Sequence, residues 1–340
     1  MRTLKYFILF VIVFLGISWI YLPRHYSVTY PKSLEPVLDK RVRDHFQYYI
    51  ESYQPDIVLL GDSTLAESVD PEMLSEILDQ EVYQIGYSGS ASAVWYLIVK
   101  NNIITAATPP DHLVLFFRST ILTTPDYLVT GKYFEFVDEL ASPDDIVLLE
   151  RAYVNQYSWA EKLAEQYVPL YGERFQLLTI LDRLVKYPLL RTLFDIPPDQ
   201  IDYALDTIFQ TQNRDLGQLN IAIQNVLSDL YSPQNLNFNR QVERSFLPEI
   251  IRLCESNEIT VTFVHMKSLE YPTQESEPRA LQRYMRDLET YFSDRGIQYF
   301  DLSQLEALTD DHFKDLIHLN IEGQLIFTQI LAEALAEVDN

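Results

Sequence analysis

The sequence is short of cysteine, glycine and positive charge. A single cysteine, Cys254, among 340 residues excludes an intrachain disulfide framework and any cysteine-based zinc cluster. Nine glycines are few against an average of about 7%, so collagen-like and glycine-rich linker architectures are excluded. Lys and Arg number 26 against 49 Asp and Glu, a formal net charge of −23. Nucleic-acid backbones need clustered cations, so no nucleic-acid partner is expected. Neither G-x-x-x-x-G-K-[S/T] nor G-x-G-x-x-G occurs, and nothing supports nucleotide binding. No H-E-x-x-H pattern is present either, so no metal or other cofactor is expected. Apolar residues make up 47% of the chain, an ordinary share that excludes wholesale disorder.

One long apolar run is present. From Tyr6 to Leu22 the chain reads YFILFVIVFLGISWIYL without a charge. At about 1.5 Å per residue this is close to the shortest bilayer span. Arg2 and Lys5 precede it, and Trp19 and Tyr21 sit near its far end, where amphipathic rings favour the interface. The basic N-terminal side favours an N-in, C-out orientation, although Arg24, His25 and Lys32 pull the other way. A cleaved signal peptide is a rival reading. Its apolar core is normally about 7–15 residues and ends in small residues, whereas this run ends Ile-Tyr-Leu-Pro. A buried core helix is a further alternative. The expectation is a retained single-pass anchor over residues 1–23, a stalk and helix over 24–55, and an extracytoplasmic α/β domain over 56–340.

That domain alternates apolar strands with amphipathic helices. Strands are expected at Ile57–Leu60, in EVYQIG, at His112–Phe117, in ITVTFVHM and in IQYFDL. Helices are expected at residues 71–79, from Ala91 to about Ile104, in SFLPEIIRLCESN, in RALQRYMRDLETYFSDRG up to Gly296, and in GQLIFTQILAEALAEV. Strands separated by helices predict a parallel sheet in an α/β fold. Residues 120–245 break the rhythm with a long aromatic stretch, read as a helical insertion or cap over the sheet. Its aromatic residues serve packing or, alternatively, a glycan platform.

Three blocks could carry chemistry. Gly61-Asp62-Ser63-Thr64-Leu65 follows the first strand directly. A strand end with glycine exposes a serine hydroxyl on a tight turn; the plainer alternative is that Asp62 or Ser63 only caps a helix. Asp315-Leu316-Ile317-His318-Leu319-Asn320 lies near the other end of the chain. His318 could accept the serine proton, and Asp315 could fix the imidazole tautomer; the alternative is a solvated acidic loop. Gly86-Tyr87-Ser88-Gly89 could bring a backbone N–H close to a developing oxyanion, or be a plain loop. Both Ser63 and His318 fall at strand ends, where open parallel sheets gather their ligands. Cys254 and His265 read as core or loop residues, and Asp310 and Asp311 as solvated.

Strand-GDSTL, the glycine loop and D-x-x-H-L-N together resemble the SGNH (GDSL-type) hydrolase superfamily. The resemblance covers about residues 55–120 and 245–340 and implies a flavodoxin-like three-layer α/β/α sandwich. It implies Ser63 as nucleophile, Asp315 and His318 as its partners, and the N–H groups of Ser63 and Gly89, with Gly86 a possible substitute, as oxyanion donors. The family's third block carries G-x-N-D, whose Asn completes the oxyanion hole. Here the strand ends Phe116-Phe117-Arg118-Ser119-Thr120, so Arg118 or Ser119, with Thr120 a further alternative, is the candidate substitute. The layout resembles membrane-anchored SGNH-like proteins of bacterial envelopes, some of which work beside membrane-bound O-acyltransferases. The resemblance thus implies a serine acyl esterase or O-acyltransferase acting on an envelope glycan or related acyl ester. A non-catalytic scaffold assisting such a machine is the alternative, and a plain anchored lipid esterase a weaker one.

Overall fold

A computed structural model of the chain describes residues 2–32, 43–124, 127–128, 137, 139–145, 153–154, 158–174, 177, 231–271 and 277–336. The expected insertion is therefore described only in part. The chain forms two compact units, residues 1–37 with 155–218 and residues 38–154 with 219–340.

In the first unit the apolar run forms α1, Arg2–Tyr26. The helix continues through Pro23, past the expected boundary at residue 23. Proline removes one backbone donor, and the chain leaves the helix as Val28 N–H donates to the Pro23 carbonyl at 3.0 Å. Among the described residues α1 is the one helix long and apolar enough to cross a membrane. Phe7, Ile8, Phe10 and Ile12 on it are exposed. Beyond it lies a charged cluster. Glu165, on α6 (Trp159–Tyr167), and Glu173 are buried, and Lys32 stands 3.6 and 3.7 Å from them. Arg174 pairs with Glu165 at 2.5 Å. Paired cations offset the desolvation that two buried carboxylates incur.

The second unit is built on a parallel five-stranded sheet. Its strands are β1 (Ile57–Gly61), β2 (Val82–Gly86), β3 (His112–Phe117), β6 (Thr260–His265) and β7 (Gln298–Asp301), in the order β2-β1-β3-β6-β7. All four pairings are parallel. A separate two-residue pair joins β4 (Tyr127–Leu128) to β5 (Tyr153–Val154). Among the described residues the helices of this unit include α2 (His45–Tyr53), α3 (Ser63–Ser68), α4 (Pro71–Leu78), α5 (Ser92–Ile98), α7 (Phe238–Val242), α8 (Leu247–Ser256), α9 (Arg279–Ser293) and α10 (Ile321–Ala336).

Strand alternation explains the layers. Ile57, Leu59, Val114, Phe116 and Val264 face one core with Leu65, Leu74, Phe327 and Leu331 of α3, α4 and α10. Val58, Leu60, Leu113, Leu115 and Phe263 face the other, with Ile50, Trp95, Ile250, Cys254 and Leu288 of α2, α5, α8 and α9. A parallel sheet covered on both faces favours apolar residues at its central positions, which is why β1 and β3 read as almost unbroken apolar runs, while β6 admits the buried Thr262, whose hydroxyl pairs with His112. Each fully buried Leu, Ile or Phe contributes roughly 1.5–3 kcal/mol. The result is the expected α/β/α sandwich with flavodoxin-like strand order. Burial pushes the Cys254 thiol up to about 12, in keeping with an inert core residue.

Two details differ from the expectations. The helix from Ala91 does not stay α-helical. Its last turn, Val99–Ile103, is a π-turn closed by Ile104 N–H to the Val99 carbonyl. In that turn Lys100 and Asn101 both reach the buried Asp145. The last helix starts earlier than its glycine, because Asn320 caps it by accepting from Gly323 N–H at 3.0 Å.

Candidate active site

The switch point of this strand order lies between β1 and β3, and ligands bind there at the carboxyl ends of the strands. Both ends carry the residues singled out by sequence. After Gly61, Asp62 takes an extended conformation and caps α3. Its Oδ1 accepts from Thr64 N–H at 2.8 Å and from the Thr64 hydroxyl. Capping therefore falls to Asp62, and Ser63 at the first helical position keeps its hydroxyl for another partner.

That partner is His318. Ser63 Oγ lies 2.9 Å from His318 Nε2, and His318 Nδ1 lies 2.8 Å from Asp315 Oδ2. The carboxylate also shapes the loop. Asp315 Oδ1 accepts from the backbone N–H groups of Ile317 and His318, each at 2.9 Å. Phe313 bridges to Leu319, and Lys314 N–H donates to the His318 carbonyl at 2.8 Å, closing a compact turn around the histidine. Burial tends to raise the Asp315 pKa. The hydrogen bonds from His318 and the two backbone donors outweigh it and hold the carboxyl below its ordinary value. An ionised Asp315 then receives a proton-bearing Nδ1, which leaves Nε2 as acceptor for the serine hydroxyl.

The glycine block lies beside the end of β1. Tyr87 N–H donates to the Gly61 carbonyl at 2.9 Å, and the Ser90 hydroxyl donates to the same carbonyl at 3.2 Å. Trp95 Nε1–H in turn donates to Ser90 Oγ at 2.8 Å, which locks the loop. Gly89 has φ +77, a left-handed conformation natural to glycine, with open space where a Cβ would stand. Gly86 ends β2, opposite Gly61. A Cβ there would come within 2.6 Å of the Ala66 Cβ, so close packing of β2 on α3 accounts for this glycine.

At the end of β3, Arg118 is buried with its Nε 3.7 Å from Asp62 Oδ2. Its Nε and Nη1 have no hydrogen-bond partner. Ser119 is buried too, at φ +47, with an unpartnered hydroxyl. The arrangement thus assembles Ser63, His318 and Asp315, sets Arg118 against the residue before Ser63, and ties the Gly89 loop to the β1 end.

Sequence reasoning missed a second Asp–His pair. His265 Nδ1 lies 3.0 Å from Asp301 Oδ1, across the β6–β7 pairing. Burial raises the Asp301 pKa, but His265 and Ser303 overcome it and hold the carboxyl at about 2. Only the strand register, which pairs His265 with Asp301, could have found it.

No protein-family model and no curated protein matches the chain. Among solved structures it is similar to a GDSL-like lipase from Bacteroides thetaiotaomicron, with 12% identity, TM-score 0.36, and coverage of 83% of this chain and 88% of that one. A protein described as an acylhydrolase from Bacteroides fragilis shows 12% identity, TM-score 0.38, and coverage of 88% and 99%. A protein described as lipolytic and of the G-D-S-L family, from Desulfitobacterium hafniense, shows 10% identity, TM-score 0.37, and coverage of 82% and 97%. At such identities and TM-scores the likeness is loose.

Proposed function

We propose that this chain is a membrane-anchored, extracytoplasmic serine acyl esterase or O-acyltransferase of the SGNH type. The observation that carries the reading is the unbroken line of hydrogen bonds from Ser63 through His318 to Asp315, at 2.9 and 2.8 Å. A serine hydroxyl is a weak nucleophile until a base accepts its proton, and that geometry is what activation requires.

In the first step Ser63 Oγ attacks the ester carbonyl while its proton passes to His318 Nε2. The carbonyl electrons move onto oxygen, and backbone N–H groups of Ser63 and Gly89 are the candidate donors to it. Collapse of the intermediate breaks the C–O bond to the alcohol, which leaves with the proton from His318. An acyl group now sits on Ser63. In the second step His318 takes a proton from an incoming hydroxyl, which attacks the acyl carbon and frees Ser63 as the proton returns to its oxygen. Water gives an acid and makes the protein an esterase; a sugar hydroxyl gives a new ester and makes it a transferase. The ionised Asp315 stabilises the imidazolium in both steps.

The envelope setting is supported by α1, most of whose apolar side chains from Leu4 to Tyr21 are exposed. A helix of this kind leaves carbonate-washed membranes only with detergent, so release of the chain by carbonate alone argues against the anchor. A catalytically silent scaffold beside a membrane acyltransferase is the second reading, favoured by Arg118 where the family carries its third-block Asn. Loss of one oxyanion donor costs about 10²–10³ in rate.

The test is labelling of the detergent-solubilised full chain by a fluorophosphonate probe. Labelling that disappears in folded Ser63→Ala and His318→Ala supports the enzyme. Absence of labelling in the folded natural chain overturns it in favour of the scaffold.

A further inference from the structure

Helix α6, Trp159–Tyr167, is inverted relative to a helix that faces water. Trp159, Leu163 and Tyr167 recur every four residues, so their side chains share one face. All three are exposed, Trp159 to 77%. Glu165 stands on the opposite face and is the buried residue of the helix, held by Lys32 and Arg174. A helix packed on a protein core in water turns its apolar side inward and its charges outward. Here a carboxylate faces in and an aromatic stripe faces out.

Contacts within the same unit fix where that stripe lies along α1. Trp19 Nε1–H donates to the Tyr167 carbonyl at 2.7 Å. The turn Pro169–Gly172, which follows α6, packs on α1, whose Ser18 and Leu22 are buried. The Tyr30 hydroxyl donates to Glu173 at 2.9 Å, and its ring lies 6.2 Å from that of Trp19. The C-terminal end of α6 is therefore held at the level of Trp19, three residues before the uncharged run ends at Leu22. From Tyr6 to Leu22 that run rises about 26 Å at about 1.5 Å per residue, a few ångströms less than the roughly 30 Å hydrocarbon core. Its C-terminal end, Trp19 included, falls at the membrane–water interface, where Trp and Tyr side chains concentrate.

We infer that α6 lies against the lipid surface beside α1, with Trp159, Leu163 and Tyr167 in the boundary between headgroups and acyl chains. The inference rests on the proposed membrane anchor and gives it a second lipid contact. The stripe suits that boundary, since an indole and a phenol each combine an apolar body with a polar tip that stays wet. Little net charge accompanies it. Glu161 and Lys162 offset each other and Glu165 is paired, so a zwitterionic lipid suffices and no anionic headgroup is called for. Interfacial aromatic anchors of this kind fix the rotation and tilt of a spanning helix.

The test uses the full chain in phosphatidylcholine vesicles. Cys254 is the single cysteine and is buried, so a thiol-reactive NBD fluorophore reports one introduced site at a time. Labels go on Trp159→Cys and Leu163→Cys for the stripe, on Glu161→Cys for the opposite side, and on Phe14→Cys within α1. Glu161→Cys keeps its backbone N–H on the Ser158 hydroxyl, so the helix cap persists. Circular dichroism confirms that each labelled variant is folded. Phosphatidylcholine carrying a nitroxide near the glycerol end of its acyl chain should quench a stripe label about threefold more than the Glu161 label, because an interfacial helix seats its apolar side roughly 5–10 Å into the lipid. Aqueous iodide should show the reverse order. Preferential lipid quenching at either stripe site supports the inference, and preference at neither overturns it. Stripe labels shielded from both quenchers also overturn it, since a protein surface then covers them. Phe14→Cys, read with a lipid carrying its nitroxide near the chain end, separates this inference from the anchor. Quenching at Phe14 without preference at the stripe keeps the anchor and removes α6 from the membrane. Preference at the stripe without quenching at Phe14 keeps the α6 contact and removes the span.

Discussion

Two Asp–His pairs stand at the carboxyl edge of one sheet and meet serine differently: Ser63 Oγ faces the imidazole of His318, whereas Ser303 N–H donates to the carboxylate of Asp301. In the first, Asp315 and His318 share a tight loop, and the carboxylate also binds two backbone N–H groups of that loop. In the second, Asp301 and His265 sit on neighbouring strands, and the pair exists because of strand register. The Asp315 side chain is 4% exposed and the Asp301 side chain 47%. His265 stacks on Phe117, with centroids 5.1 Å apart, while His318 meets Ser63. An oriented imidazole is therefore common to both places. What separates them is a serine hydroxyl at the imidazole, supplied by a turn in which Asp62 takes the capping duty and leaves Ser63 Oγ to His318.

The comparison can be broken most sharply by treating the two carboxylates alike. Asp315→Asn should lower ester turnover by about 10³–10⁴-fold, the scale set by losing the tautomer-fixing carboxylate of a serine triad. Asp301→Asn should change it less than threefold. Steady-state kinetics on folded protein checks both, and equal losses would dissolve the distinction.

The two glycines give the next largest contrast. Gly86→Ala forces a methyl to 2.6 Å from the Ala66 side chain and should destabilise the fold by roughly 1–3 kcal/mol. Thermal unfolding checks it. Gly89→Ala meets no atom but strains a φ of +77, for a smaller loss of about 1 kcal/mol. Its larger effect should fall on kcat, because the loop carries a candidate oxyanion donor. If kcat falls only in Gly86→Ala, the donor assignment moves to that residue.

The smallest effect concerns acid. The Asp301 carboxyl sits at about 2, below its ordinary 3.8, so it contributes stability above about pH 4 that fades as the pH falls towards 2. Asp301→Asn should flatten that limb of the stability curve. The half-exposed side chain keeps the change small through solvent screening. Denaturant midpoints measured from pH 5 to 2 resolve it.

Much of this is legible in the sequence itself. Runs such as IVLLG and, after its leading His112, HLVLFF announce doubly covered strands, because no position carries a polar side chain and every one is buried. Ser63, Asp315 and His318 could be named because each motif is local and its residue types are scarce in combination. Helix α3 was not legible as an element, since six residues carry too little periodicity and its stability comes from the Asp62 cap and from Leu65 in the core. The π-turn at Val99–Ile103 answers to Asp145, more than forty positions away in the chain. Arg118 looked like a strand terminus. Its burial against Asp62 follows from β3 lying beside β1, which is a fact of topology.

The distance along the chain between Ser63 and His318 has a consequence in time. They are 255 positions apart, and synthesis proceeds at about 5–20 residues per second. A growing chain therefore displays its serine on the order of 10–50 s before the histidine exists. Throughout that interval the hydroxyl is an ordinary alcohol, because the turn that holds His318 closes against α10, capped by Asn320. Under the proposed chemistry the nascent chain cannot acylate itself or attack its surroundings while it is still being made, and reactivity switches on with the docking of the last helix.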